Sequence, residues 1–131
     1  MADKLKILVV DDDPIVKDIV SNILESTGKY HAIQAEDGEV ALAHLVADQS
    51  IRLVITDVNM PKMDGFALLN EVRKTDSQTP FIILTDSFHM LSGSDTPDTG
   101  TDTPALRMTD YLAKDESFQE AIIPLVEKAL R

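Results

Sequence analysis

Three consecutive aspartates, Asp11, Asp12 and Asp13, follow the apolar run Ile7 to Val10, and a further aspartate, Asp57, follows the run Leu53 to Thr56. Carboxylates drawn to one spot repel each other, which raises their pKa values and works against the fold. A hard divalent cation relieves that repulsion. Mg2+ takes oxygen ligands and typically combines one or two carboxylates with a phosphate and water. The chain has no cysteine, and His31, His44 and His89 show no metal-ligand spacing, which argues against zinc. Two further polar groups stand directly after or at the end of apolar runs, the hydroxyl of Thr85 and the ammonium of Lys114. Such groups bind phosphoryl oxygens through charge-assisted hydrogen bonds of about 1.5–3 kcal/mol each. Taken singly, each residue has a plain reading: Asp13 a helix cap, Asp11 or Asp12 a solvated turn residue, a lone Asp after a strand a turn former, Thr85 a strand-end residue, Lys114 a solvated cation. Two acidic sites on the ends of adjacent strands are harder to dismiss.

The elements that must position these residues are legible as alternating patterns. Ile7 to Val10 is short and rich in β-branched residues, as in a buried strand. Asp13 and Pro14 read as the cap and first residue of a helix. Val16, Ile19, Val20, Ile23 and Leu24 then recur at helical spacing, and Gly28 ends the pattern. Tyr30 to Ala35 is a second strand, Glu39 to Ala47 a second helix, and Leu53 to Thr56 a third strand. Asn59 to Gly65 reads as a loop. Phe66, Leu69 and Val72 mark a third helix, and Phe81 to Leu84 a fourth strand. Tyr111 and Leu112 mark a short fifth strand. The last helix carries Phe118, Ile122, Leu125, Val126 and Ala129, with Pro124 inside it, where a kink or split is expected.

Strands alternating with helices imply a mainly parallel sheet covered on both faces. Right-handed crossovers leave few topologies, and the natural one for five strands is the flavodoxin-like, doubly wound order 2-1-3-4-5. In that order the first and third strands are neighbours, so Asp11, Asp12 and Asp57 meet beyond their carboxyl ends, where open α/β sheets bind ligands.

The chain of 131 residues, 44% of them hydrophobic, suits one compact domain spanning 1–131. Its formal net charge of −11 disfavours binding to nucleic acid. No apolar run approaches the ~20 residues needed to cross a bilayer, and no secretory-signal pattern opens the chain, so a cytoplasmic protein without membrane attachment is expected. Residues 86–107 are atypical. Every position from Ser92 to Pro104 is Ser, Thr, Asp, Gly or Pro, which rules out an amphipathic helix there. The helix expected between the fourth and fifth strands is therefore degenerate or replaced by a loop.

Ile7-Leu8-Val9-Val10-Asp11-Asp12, the segment Asp57-Val58-Asn59-Met60-Pro61-Lys62-Met63-Asp64-Gly65, Leu84-Thr85 and Asp110-Tyr111-Leu112-Ala113-Lys114 resemble the response-regulator receiver family, with an order and spacing that fit it up to Thr85 and a longer stretch than usual from there to Lys114. The resemblance covers nearly the whole chain apart from about 20 residues after Thr85. It implies a phosphoacceptor domain of a two-component or phosphorelay system. Asp57 would be the phosphoacceptor. Asp12 would ligate Mg2+ directly, Asp11 would assist or position metal-bound water, and Asn59 would offer its backbone carbonyl. Thr85 and Lys114 would bind the phosphoryl group, and Tyr111 would change rotamer with Thr85 as the switch. The implied partners are a sensor histidine kinase or phosphotransfer protein and a downstream effector. Phosphorylation and dephosphorylation would be self-catalysed, so the domain is not expected to act as an enzyme on a separate substrate.

Three features depart from the family pattern. Asp86 stands where a small residue is usual, Asp115 follows the lysine where proline is usual, and the fourth helix is not recognisable. They leave open a degenerate receiver that acts as a phosphorylation-independent interaction module. An aspartate-nucleophile phosphohydrolase is a further alternative, since Asp11 and Asp13 have its D-x-D spacing, but it would leave Asp57 unexplained. A flavin mononucleotide binder fits less well, because acids occupy the place of a phosphate-binding loop.

Overall fold

The computed structural model describes residues 4–58, 60, 63–74, 79–85, 109–114 and 117–130. Asn59, Asp86, Asp115 and the Ser92–Pro104 segment lie outside them, as does the place of the helix expected between the last two strands. The described elements run β1 (Leu5–Val10), α1 (Pro14–Ser26), β2 (Tyr30–Ala35), α2 (Gly38–Ala47), β3 (Ile51–Asp57), α3 (Gly65–Arg73), β4 (Phe81–Thr85), β5 (Thr109–Ala113) and α4 (Phe118–Ala129). All neighbouring strands pair in parallel, in the order β2-β1-β3-β4-β5. This is the doubly wound, flavodoxin-like arrangement expected from the alternation of apolar runs.

The central strands bury both faces, which is why they read as continuous apolar runs. Leu8, Val10, Val54, Phe81 and Ile83 pack on one side with Leu68, Leu69 and Val72 of α3 and Ala41 of α2. Ile7, Val9, Leu53, Ile55, Ile82 and Leu84 pack on the other with Val20 and Leu24 of α1 and Ile122 and Val126 of α4. Burying a side chain of this size contributes roughly 1.5–3 kcal/mol, so the two layers hold the strand ends in fixed register.

Aspartates set the helix starts. Asp13 Oδ1 accepts from the Ile15 backbone N–H at 2.9 Å, with Pro14 opening α1. Asp37 and Asp64 cap α2 and α3 in the same way, at 2.9 and 2.8 Å. Gly28, at φ 74°, turns the chain after α1 into β2. Several bounds differ from expectation, β3 for example running Ile51–Asp57 where Leu53 to Thr56 was expected. Gly65 opens α3 rather than closing the preceding loop, because Asp64 supplies the cap. The last helix also runs through Pro124 unsplit. That residue lies on the exposed face, where losing one backbone donor is tolerated more easily.

Candidate functional site

The carboxyl ends of β1 and β3 are neighbours in the strand order, and that of β5 lies one strand beyond β3, across β4. Register pairs Val10 with Thr56 and Asp57 with Leu84, so the residues just beyond β1 and at the end of β3 stand side by side. Asp11, Asp12 and Asp57 each place a carboxylate oxygen within 4.8 Å of the others. Asp11 and Asp57 are buried, at 1% and 6% exposure, whereas Asp12 faces solvent.

Lys114, just after β5, reaches into this cluster. Its ammonium donates to Asp11 Oδ2 at 3.0 Å and lies 3.1 Å from Asp57 Oδ1. The residue is brought there by its own backbone, whose N–H donates to the Thr85 carbonyl at 2.7 Å. Backbone groups complete the shell. The Asp13 N–H donates to Asp11 Oδ1 at 2.9 Å, and the Val58 N–H donates to Asp57 Oδ1 at 2.9 Å.

The electrostatics follow from this geometry. Burial, reinforced by the charge of Asp11, pushes Asp57 up to about 6, although Lys114 and the Val58 N–H pull the other way. Burial likewise raises Asp11 against the opposing hydrogen bonds from Asp13 and Lys114. Burial disfavours the Lys114 ammonium, but its two carboxylate partners outweigh that and raise its pKa. Three carboxylates face one ammonium among the described residues, so the cluster carries excess negative charge at neutral pH.

The other expected residues are located as follows. Thr85 is the buried last residue of β4 and is joined to Lys114 through its carbonyl. Tyr111 is half-buried on β5, packed against the α2–α3 side of the core, and burial raises its hydroxyl pKa. Gly65 was legible only as a loop glycine. A Cβ there would overlap the Asp57 carbonyl, so this close approach of α3 to the end of β3 demands glycine. Its N–H also donates to the Val58 carbonyl at 3.0 Å.

A five-stranded parallel sheet that gathers aspartates and a lysine at the ends of its first, third and fifth strands defines a receiver-type signalling module. Residues 7–125 match the family model of the response regulator receiver domain. The chain therefore belongs to the response regulator receiver family of two-component systems. The transcriptional regulatory protein CpxR of Klebsiella pneumoniae is 45% identical over 80 residues, which is 61% of this chain and 33% of that protein. The chemotaxis protein CheY4 of Vibrio cholerae superposes with a TM-score of 0.80 at 29% identity, covering 98% of this chain and 100% of that one. The response regulator TrrA of Thermotoga maritima, solved in complex with Mg(2+)-BeF, gives 0.77 at 30% identity, over 95% of this chain and 98% of that one. The chain spans about a third of the length of the curated transcriptional regulators it matches. Among the described residues no helix is long and apolar enough to cross a membrane.

Proposed function

We propose that Asp57 accepts a phosphoryl group from a phosphohistidine of a partner kinase or phosphotransfer protein, or from a small acyl phosphate, and that this switches binding to an effector. One observation carries the reading: Lys114 bridges Asp11 and Asp57 at the meeting point of three strand ends. The Val58 N–H and Lys114 both engage Oδ1 of Asp57, and we assign Oδ2 to attack. A P–O bond forms to Asp57 as the bond from phosphorus to the donor breaks, and the electron pair leaves with the donor. Phosphoryl transfer needs positioning and charge neutralisation more than covalent assistance. Lys114 is placed to pair with the transferred oxygens, and Thr85 is the hydroxyl we assign to them. Tyr111 is the residue we expect to answer movement of Thr85.

The donor set fits Mg2+. It consists of hard carboxylate oxygens, two of them buried, with negative charge in excess of the available ammonium. Asp11, Asp12 and Asp57 would hold the ion, with the Asn59 carbonyl as a further ligand. When bound, it would neutralise charge on the carboxylates and on the transferring oxygens. The Mg(2+)-BeF complex of the Thermotoga maritima relative supports this assignment. We read residues 1–131 as one receiver unit, with 86–107 as an atypical segment.

Intact mass after incubation with acetyl phosphate and Mg2+, beside Asp57→Asn and a metal-free sample, tests the reading. A single phosphate adduct on the wild type alone is the expected result. No adduct on folded, Mg2+-loaded protein would overturn it in favour of a phosphorylation-independent interaction module, the reading to which Asp86 and Asp115 point.

A further inference from the structure

Thr56 is fully buried on β3, immediately before Asp57. Strand alternation puts it on the same face as Val54 and Val58, both of which belong to the apolar layer under α2 and α3. A valine would fill that position as its neighbours do, so packing alone gives no reason for a hydroxyl there. The hydroxyl donates to the carbonyl oxygen of Asp57 at 3.0 Å.

That carbonyl belongs to the peptide unit joining Asp57 to Val58. The unit is planar, so its C=O and N–H turn together. On the far side its N–H faces both the Leu84 carbonyl at 3.1 Å and Oδ1 of Asp57 at 2.9 Å. The near side is bounded by Gly65, whose missing Cβ leaves space for the same carbonyl. Tilting this plane would therefore turn away one of the donors that orient the Asp57 carboxylate. The Thr56 hydroxyl holds the plane from the carbonyl end.

We infer that Thr56 is a positioning residue for Asp57, acting through the 57–58 peptide and not by touching the transferred group. The role rests on the phosphoacceptor reading of Asp57. Misplacing a reacting atom by about 1 Å can cost 10²-fold in rate. A partial tilt is expected to slow phosphorylation by about tenfold.

The experiment follows the initial rate of phosphate incorporation from acetyl phosphate with Mg2+ in the wild type, Thr56→Val, Thr56→Ser and Asp57→Asn, with urea unfolding measured on each. The expected result is about a tenfold slower rate for T56V, a near wild-type rate for T56S, which restores the hydroxyl, and no adduct for D57N. Thr56→Ala, which removes the hydroxyl without adding a methyl, replaces T56V should that variant not fold. A wild type that labels while T56V keeps pace, or a T56S as slow as T56V, overturns this role and leaves the phosphoacceptor reading standing. A wild type that takes no phosphate sinks both.

Discussion

The ammonium of Lys114 lies 3.1 Å from Oδ1 of Asp57 and 3.0 Å from Oδ2 of Asp11, so one cation serves two buried carboxylates. Burial, with repulsion from a neighbouring aspartate in each case, has raised both acids, and Lys114 limits the rise together with the Asp13 and Val58 N–H groups. Without an added cation, the end of the sheet depends on this lysine for its charge balance.

Replacing Lys114 with Met keeps the aliphatic stem and removes the charge. Breaking a buried pair typically costs 3–5 kcal/mol, and Lys114 is 12% exposed, so we expect about 2–4 kcal/mol at pH 8 without metal. The loss should shrink as pH falls. Without Lys114 the Asp57 pKa climbs above its present value of about 6, and protonation then removes the repulsion the lysine had offset. Urea unfolding at pH 8, 6 and 4.5 measures this. A deficit independent of pH would mean that Lys114 acts through packing.

Asp57→Asn should change the pH dependence in the opposite sense. The folded pKa of Asp57, about 6, lies above the ordinary carboxylate value of 3.8. A group raised in this way gives its full contribution to stability below the unfolded pKa and loses it as pH rises through the folded one. The wild type should thus lose up to about 3 kcal/mol from this group between pH 4 and pH 7. The asparagine cannot ionise and lacks that slope. D57N should gain on the wild type by about this amount across the window in metal-free buffer. Parallel stability curves would show that Asp57 titrates normally.

Much of this site was legible before the fold. Ile7 to Val10 and Leu53 to Thr56 announce strands because both faces are buried, and the strand order then brings Asp11 beside Asp57. Asp13 and Pro14 announce α1 because capping is local chemistry. Less of what orients the carboxylates could be read. One donor to Asp57 is the backbone of Val58, and nearly every residue has such a donor; only the peptide's orientation makes it special. Thr56 left one signal, a hydroxyl in an otherwise apolar run, but its partner is a carbonyl that sequence does not mark. Gly65 reads as part of the loop because Asp64, whose side chain caps α3, is in sequence one more polar loop residue.

Gly65→Ala tests the approach of α3 to the end of β3. The added Cβ would overlap the Asp57 carbonyl, which is backbone and has little freedom to yield. Overpacking of this kind costs about 1–3 kcal/mol, and here the shift would fall on the peptide that orients the carboxylate. We expect lower stability together with weaker Mg2+ binding, read by urea unfolding and by calorimetric titration. Wild-type stability in G65A would show that the helix start relaxes away without strain.

Asp12 separates metal binding from the fold. It is exposed, yet its carboxylate lies within 4.8 Å of those of Asp11 and Asp57. Asp12→Asn removes one negative charge from a crowded cluster at the surface, so metal-free stability should change by no more than about 0.5 kcal/mol. The same change removes one of the three carboxylates proposed to hold Mg2+. Mg2+ affinity should fall at least about tenfold, a loss of about 1.4 kcal/mol. Ligand binding stabilises the native state by RT ln(1 + [L]/Kd), so at 100 times the Kd the wild type should gain about 2.7 kcal/mol. At the same Mg2+ concentration D12N should gain about half of that. Thermal unfolding with and without Mg2+, with Ca2+ as a comparison cation, measures both quantities on one sample. An equal Mg2+ shift in wild type and D12N would remove Asp12 from the ligand set and leave the two buried carboxylates to hold the ion.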